Sequence, residues 1–172
     1  MKITKIDNVN FVNASIKNSL ASLLITCVED GASLGFITPF LESEATEYWD
    51  HVNNELQSGG RLLLVAAQGE QVIGTVQLVL SDKKNGLHRA DIEKLMVHPD
   101  VRGKGIAKEL INHIENLART LDRRLLILDT QTGSLASKLY LKLDYIPVGE
   151  IPHFALSTVG ELEPTCIFYK HF

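Results

Sequence analysis

The chain has 172 residues, of which 45% are hydrophobic and 22% charged, and its formal net charge is −4. That length suits one domain, residues 1–172, with a substantial core, and the composition is globular rather than disordered. The acidic balance argues against a general nucleic-acid partner, no apolar run reaches a membrane span, and the start of the chain lacks the apolar stretch of a signal peptide.

Residues 2–6 alternate polar and apolar, as a short edge strand does. Ile16, Leu20, Leu23, Leu24 and Cys27 form a helical stripe, and a glycine-containing loop, residues 31–36, follows. Residues 43–56 read as a helix with Ser43 as N-cap, acidic residues in its first turn and Gly59-Gly60 at its end. Residues 62–67 and 72–80 read as the strands of a hairpin around residues 68–71, and residues 83–86 mark another turn. Residues 90–97 are the next strand. A long helix follows from Ile106, with Leu110, Ile111, Ile114, Leu117, Ala118 and Leu121 in its pattern. Residues 125–128 form a buried strand and residues 134–143 a helix whose packing stripe is Leu135, Leu139 and Leu143, with Ala136 and Tyr140 beside it. A strand over 145–150 is shortened or pushed to an edge by Pro147 and Pro152, and residues 165–170 form the last strand. The order β-α-α-β-β-β-α-β-α-β-β predicts an α/β fold with a mixed sheet, antiparallel hairpins and one right-handed crossover.

The most informative stretch joins the strand 90–97 to the long helix. Gly103 and Gly105 let the backbone curl, and their amides sit at a helix N-terminus, where free N–H groups and the dipole favour an anion. Arg102, Lys104 and Lys108 add positive charge, so this reads as a pyrophosphate cradle. A Walker loop would need Ser or Thr after Gly103-Lys104, where Gly105 stands. A dinucleotide fingerprint would need a third glycine at Lys108. Arg102, Gly105 and Ala107, following Leu95-Met96-Val97-His98-Pro99, resemble the coenzyme-A pyrophosphate loop of the GNAT acyltransferase superfamily. A second run, Ala136, Leu139, Tyr140, Leu143 and Tyr145, is similar to that family's other signature. The resemblance implies a GNAT-like mixed sheet whose two central parallel strands splay to hold acyl-CoA. It also implies acetyl-CoA as cosubstrate.

Acyl transfer to an amine needs a base for the ammonium, a donor for the oxyanion and an acid for the departing thiolate. Asp91 and Glu93 share one strand face if no bulge separates them. The resemblance makes Asp91 the general base and places Glu93 in the acceptor pocket. Asp129 ends the apolar strand 125–128 and would face the same cleft. The two aspartates would then attract a cationic amine and raise each other's pKa. The resemblance makes Tyr140 the acid at the thioester sulfur, and makes the main chain of Leu95, Met96 and Val97 the oxyanion and pantetheine contact. The cradle is Arg102, Gly103, Lys104, Gly105, Ile106 and Ala107, with Ser134 and Lys138 as further cofactor contacts. Phe36, His153 and Phe154 are candidates for the wall of the acceptor pocket. The chain departs from the family pattern at Gly133, where many members carry Asn, and at Asp144-Tyr145, where many carry Gly-Phe.

A narrower resemblance, to acetyltransferases of the tabtoxin-resistance type, rests on residues 31–36, 84–87, 94–97, 128–130, 133–134, 148–150 and 164–165. In it Asp91 stands in place of Glu, one methylene shorter, which favours a bridging water. The function implied is N-acetyl transfer from acetyl-CoA to a primary amine of a small molecule, such as an amino-acid-like toxin or antibiotic, by direct attack in a ternary complex. The alternative is a non-catalytic acyl-CoA-binding module, which needs neither Asp91 nor Tyr140. Cys27 and Cys166 read as core residues, which disfavours a cysteine nucleophile and suits a reducing cytoplasm. The histidines show no paired ligand spacing, so no metal is expected. A homodimer is compatible with the resemblance.

Overall fold

The apolar runs resolve into one seven-stranded sheet in the computed structural model, which describes residues 1–6 and 14–172. The elements are β1 (Lys2–Ile6), α1 (Ala14–Glu29), α2 (Glu42–Ser58), β2 (Arg61–Gln68), β3 (Gln71–Leu80), β4 (Arg89–Val97), α3 (Ile106–Thr120), β5 (Leu125–Gln131), α4 (Leu135–Lys142), β6 (Ile146–Leu156) and β7 (Leu162–His171). The spatial order is β1-β2-β3-β4-β5-β7-β6, antiparallel throughout except for β4 against β5. This is the α/β element order that the periodicities predict. No helix among the described residues is long and apolar enough to cross a membrane.

Each face of the sheet carries its own core. Leu64, Val76, Leu78, Ile92 and Leu126 pack under α3 and α4, against Leu110, Ile111, Ile114 and Tyr140. Leu63, Val65 and Met96 pack under α1 and α2, against Leu20, Leu24, Trp49 and Val52. Each fully buried Leu or Ile contributes about 1.5–3 kcal/mol. A half-buried ion pair closes the α3 side. Lys170 Nζ donates to both oxygens of Glu115, at 2.9 and 3.0 Å, and to the Leu143 carbonyl at 2.9 Å. It ties β7 to α3 and to the end of α4.

Three expectations need correction. Leu41, not Ser43, occupies the N-cap of α2, because the Glu44 carboxylate reaches back to accept from the Leu41 N–H at 2.8 Å. Asp129 does not end β5, which continues to Gln131 because β7 pairs with it along its whole length. Leu135 is 76% exposed, and the packing face of α4 is Ala136, Leu139, Tyr140 and Leu143. The expectation for the prolines holds in its second form, since β6 lies at the sheet edge without being shortened. It runs from Ile146 to Leu156 at the sheet edge, where a missing N–H is tolerated, and its register slips near both prolines.

Gly74 sets how closely the start of α3 meets the sheet. A Cβ there would lie 3.0 Å from the Met96 carbonyl oxygen, 3.1 Å from Leu110 Cδ1 and 3.3 Å from Ile106 Cγ2. Gly74→Val is therefore expected to overpack this junction and lower stability by about 1–3 kcal/mol, read by urea unfolding.

Candidate active site

Three residue pairs join the parallel strands: Arg89 with Leu125, Ala90 with Leu126 and Asp91 with Ile127. Beyond them β4 runs on beside β3 and β5 runs on beside β7, so a gap opens with Asp91 at its vertex. Residues 91–93 stay in register with β3, so no bulge separates Asp91 from Glu93. Ala90 and Ile92 face the α3-side core, which turns both acids to the other face. Leu126 and Leu128 do the same on β5 and turn Ile127 and Asp129 to that face. The result is a cleft of about 220 Å³ lined by Asp91, Glu93, Ile127, Asp129, Phe154 and Ile167 among others. A shallower hollow of about 450 Å³, between Lys84–His88 and Leu121–Arg123, lies beyond the far end of α3 and contains none of the predicted site residues.

Burial raises the pKa of Asp91 above the usual carboxylate range, and Glu93 adds to the rise. Asp129 contributes less, and Arg89 opposes the shift. Mutual repulsion of the two aspartates, expected as the cause, is thus the smaller effect. Asp129 is exposed and accepts from Thr165 Oγ1 at 3.1 Å. Tyr140 is buried in the core on the α3 side of the sheet and is not among the residues that line the cleft. Its ring packs 5.4 Å from Tyr145 and 6.1 Å from Phe168, centroid to centroid. Burial, and then the Asp129 charge, push its phenol pKa up, so the hydroxyl keeps its proton.

Behind Glu93 lies a polar network that sequence reasoning missed. Buried Arg61 donates through Nε to Glu55 at 2.6 Å and through Nη1 to Glu93 at 2.8 Å and to the Gln77 side-chain oxygen. Gln77 in turn donates to the Tyr48 hydroxyl at 2.9 Å. The available signal was Gln77 itself, a polar residue inside the apolar run of β3. Just past Glu93 the β3–β4 register skips, with Gln77 opposite Glu93 but Thr75 opposite Met96. The extra residue lies in β4, and Lys94 takes φ 49°. Lys94 Nζ lies 5.8 Å from the ring centroids of both Phe36 and Tyr48.

The glycine loop has the predicted backbone. Gly103 and Gly105 adopt φ 76° and 81°, and Gly105 is the N-cap of α3. Among the described residues, the N–H groups of Gly103, Lys104, Gly105, Ile106, Ala107 and Lys108 find no acceptor in the chain. Lys104 and Lys108 are exposed, whereas Ile106 is buried and Ala107 packs against the core. Arg102 departs from the expectation. Its guanidinium turns back to donate to the Val97 carbonyl at 3.0 Å and to pair with Asp30 at the end of α1. It anchors the loop instead of presenting free charge to a ligand. The side chains of Leu95, Met96 and Val97 pack into the two cores, which leaves their gap-side backbone without a β5 partner. Ser134 caps α4 by accepting from the Ser137 N–H at 3.1 Å, and Lys138 is exposed. Phe36 packs 4.5 Å from Phe40 and 5.4 Å from Tyr48. Phe154 reaches the cleft where the β6 register slips, while His153, at φ 55°, is exposed and does not line it.

Comparison with known proteins agrees with this geometry. Residues 21–145 match the model of the acetyltransferase (GNAT) family. The chain is 30% identical over 130 residues to N-acetyltransferase 8B of Rattus norvegicus, covering 67% of this chain and 59% of that protein's length. Its fold is similar to that of ribosomal-protein-alanine N-acetyltransferase from Brucella melitensis, with a TM-score of 0.79, 19% identity and 100% of both chains covered. It is also similar to an aminoglycoside 6'-N-acetyltransferase complexed with coenzyme A, with a TM-score of 0.72, 18% identity and 99% and 97% coverage. The family match spans the splayed strands, the glycine loop and the α4 tyrosine, and on that ground the chain belongs to the GNAT acetyltransferase family.

Proposed function

We propose that the chain transfers an acetyl group from acetyl-CoA to a primary amine of a small molecule, by direct attack in a ternary complex. The observation that carries this reading is the gap between β4 and β5, with a half-buried acid at its vertex and a bank of free amides at the adjoining helix start. The free N–H groups of residues 103–108, Lys104 and Lys108 suit a pyrophosphate. The unpartnered gap-side edge of β4 suits a chain of amides laid along it as an added strand. Bound there, acetyl-CoA supplies the activated acyl group.

The residues of the chain divide the remaining work. Asp91, Glu93 and Asp129 draw a cationic amine into the cleft. Asp91, with its raised pKa, takes the ammonium proton, through water where its short side chain falls short. Thr165 holds the Asp129 carboxylate beside it. Tyr140, whose raised pKa keeps its phenol protonated, is the proton donor to the departing sulfur. Acetyltransferases that act on small molecules, such as the aminoglycoside enzyme, share the fold and support a small acceptor. The resemblance to the tabtoxin-resistance type favours an amino-acid-like one.

Three measurements test this. Tyr140→Phe should lower kcat by about 100-fold and leave the acetyl-CoA Kd nearly unchanged; equal losses in both would make Tyr140 a packing residue. Asp91 offers a pH test with a definite sign. Its raised native pKa means that ionisation works against the fold. The stability it contributes is full below the unfolded pKa of about 3.9 and is lost as pH rises through the native value. Asp91→Asn should therefore melt higher than the parent chain at pH 7 and no higher at pH 3. Over the same range kcat/KM of the parent should fall as pH drops through the raised pKa. Finally, calorimetry with desulfo-CoA should show binding that Arg102→Ala/Lys104→Ala weakens by about tenfold or more, Lys104 by lost charge and Arg102 by a loosened loop. A parent chain that binds neither desulfo-CoA nor acetyl-CoA would sink the acyltransferase reading.

A further inference from the structure

Asp91, Glu93 and Asp129 account for an amine in the cleft, and Lys94 follows Glu93 directly on β4. Lys94 is half-buried at the β4 bulge. Regular alternation would send its side chain toward the α3-side core, where Ile92 already points. The extra bulge residue instead sets it on the face of Glu93, under the loop that carries Phe36. Phe36 and Tyr48 stand edge to face at 5.4 Å, and Lys94 Nζ rests 5.8 Å from each ring centroid. Those rings hold an ammonium in place without using its N–H donors.

Among the described residues, Lys94 has no ion pair and no hydrogen bond through its side chain. Its nearest acid on the strand, Glu93, is already paired with Arg61 at 2.8 Å. Another cation of this face, Arg61, is occupied by Glu55, Gln77 and Glu93, while Arg89 stands two residues before Asp91, at the end of the gap where the strands still pair. Burial and the Arg61 charge both disfavour the ammonium form of Lys94, while Glu93 and Asp129 favour it. An anion arriving beside Lys94 would offset the cost of its buried charge, whereas a second cation would add to that cost.

We propose that Lys94 selects the acceptor, its ammonium binding a carboxylate carried by the amine substrate, so that the cleft prefers zwitterionic, amino-acid-like amines to plain amines. This rests on the amine-acetylation reading above and narrows its substrate class. The acids receive the substrate ammonium and Lys94 receives its carboxylate. A diamine offers only a second positive charge at that point.

The test is a panel of acceptor pairs that differ by the carboxylate alone: lysine and cadaverine, ornithine and putrescine, histidine and histamine, tyrosine and tyramine. Thiol release gives the rate, and mass spectrometry of the product confirms N-acetylation. The parent chain should show kcat/KM about 10- to 100-fold higher for the carboxylate-bearing member of the pairs it accepts. Lys94→Met, which keeps an unbranched apolar stem between the rings, should bring that ratio close to one, with acetyl-CoA binding by calorimetry reading the fold separately. A parent chain with no such preference overturns the proposal whatever the variant does, and so does a ratio that survives in Lys94→Met. Transfer to no member of any pair overturns the amine-acetylation reading itself.

Discussion

The divergence of β4 from β5 after three paired residues is the constraint on which the site depends. Each strand keeps its other neighbour, β3 or β7, so the separation leaves only gap-side backbone groups without partners. Such groups require water or a ligand. The same divergence grades the acids by depth. Asp91 stands at the vertex, where the strands still touch, and burial lifts its pKa. Asp129 stands further along the widening gap, where it is exposed and bonded to Thr165. Two residues of the same type thus acquire different surroundings from the angle between two strands. Tyr140 lies on the other face because α4 packs on the α3 side of the sheet.

A second feature follows two residues later on β4. The bulge at Lys94 inverts the alternation, so that Ile92 and Met96 enter different cores although both occupy even positions. It also sets Glu93 and Lys94 on one face, next to Arg61, Gln77 and Tyr48. Burying an arginine is costly unless its donors are filled, and here Glu55, Glu93 and Gln77 fill them. The network holds Glu93 and Tyr48 in place, and through Tyr48 it fixes one of the two rings against which Lys94 rests.

Much of this was legible in the chain. The element order follows from where period-two runs give way to the 3.6-residue stripe, and the long α3 stripe is the clearest case. The loop could be read because glycine at residues 103 and 105 permits a left-handed backbone that other residues resist, and the structure uses it at both. Other features were hidden for physical reasons. Ser43 is a good cap by residue type, but Glu44 reaches the Leu41 N–H and starts the helix earlier. Arg102 reads as ligand charge until the fold brings Asp30, 72 positions away, beside it. The face of α4 that packs is decided by the sheet beneath it, which leaves Leu135 outside.

By itself the sequence determined what is local: the order of strands and helices, the positive-φ glycines and the helix start at Ile106, while the shared face of Asp91 and Glu93 also needed the regular β3 register that the fold supplies. Tertiary structure alone decided the angle at which β4 leaves β5, the register skip that turns Lys94 toward Phe36 and Tyr48, and the pairing of Arg61 with Glu93 and of Arg102 with Asp30. These depend on contacts between residues far apart along the chain, where no short-range periodicity carries the information, and burial and charge act only once those residues share a space.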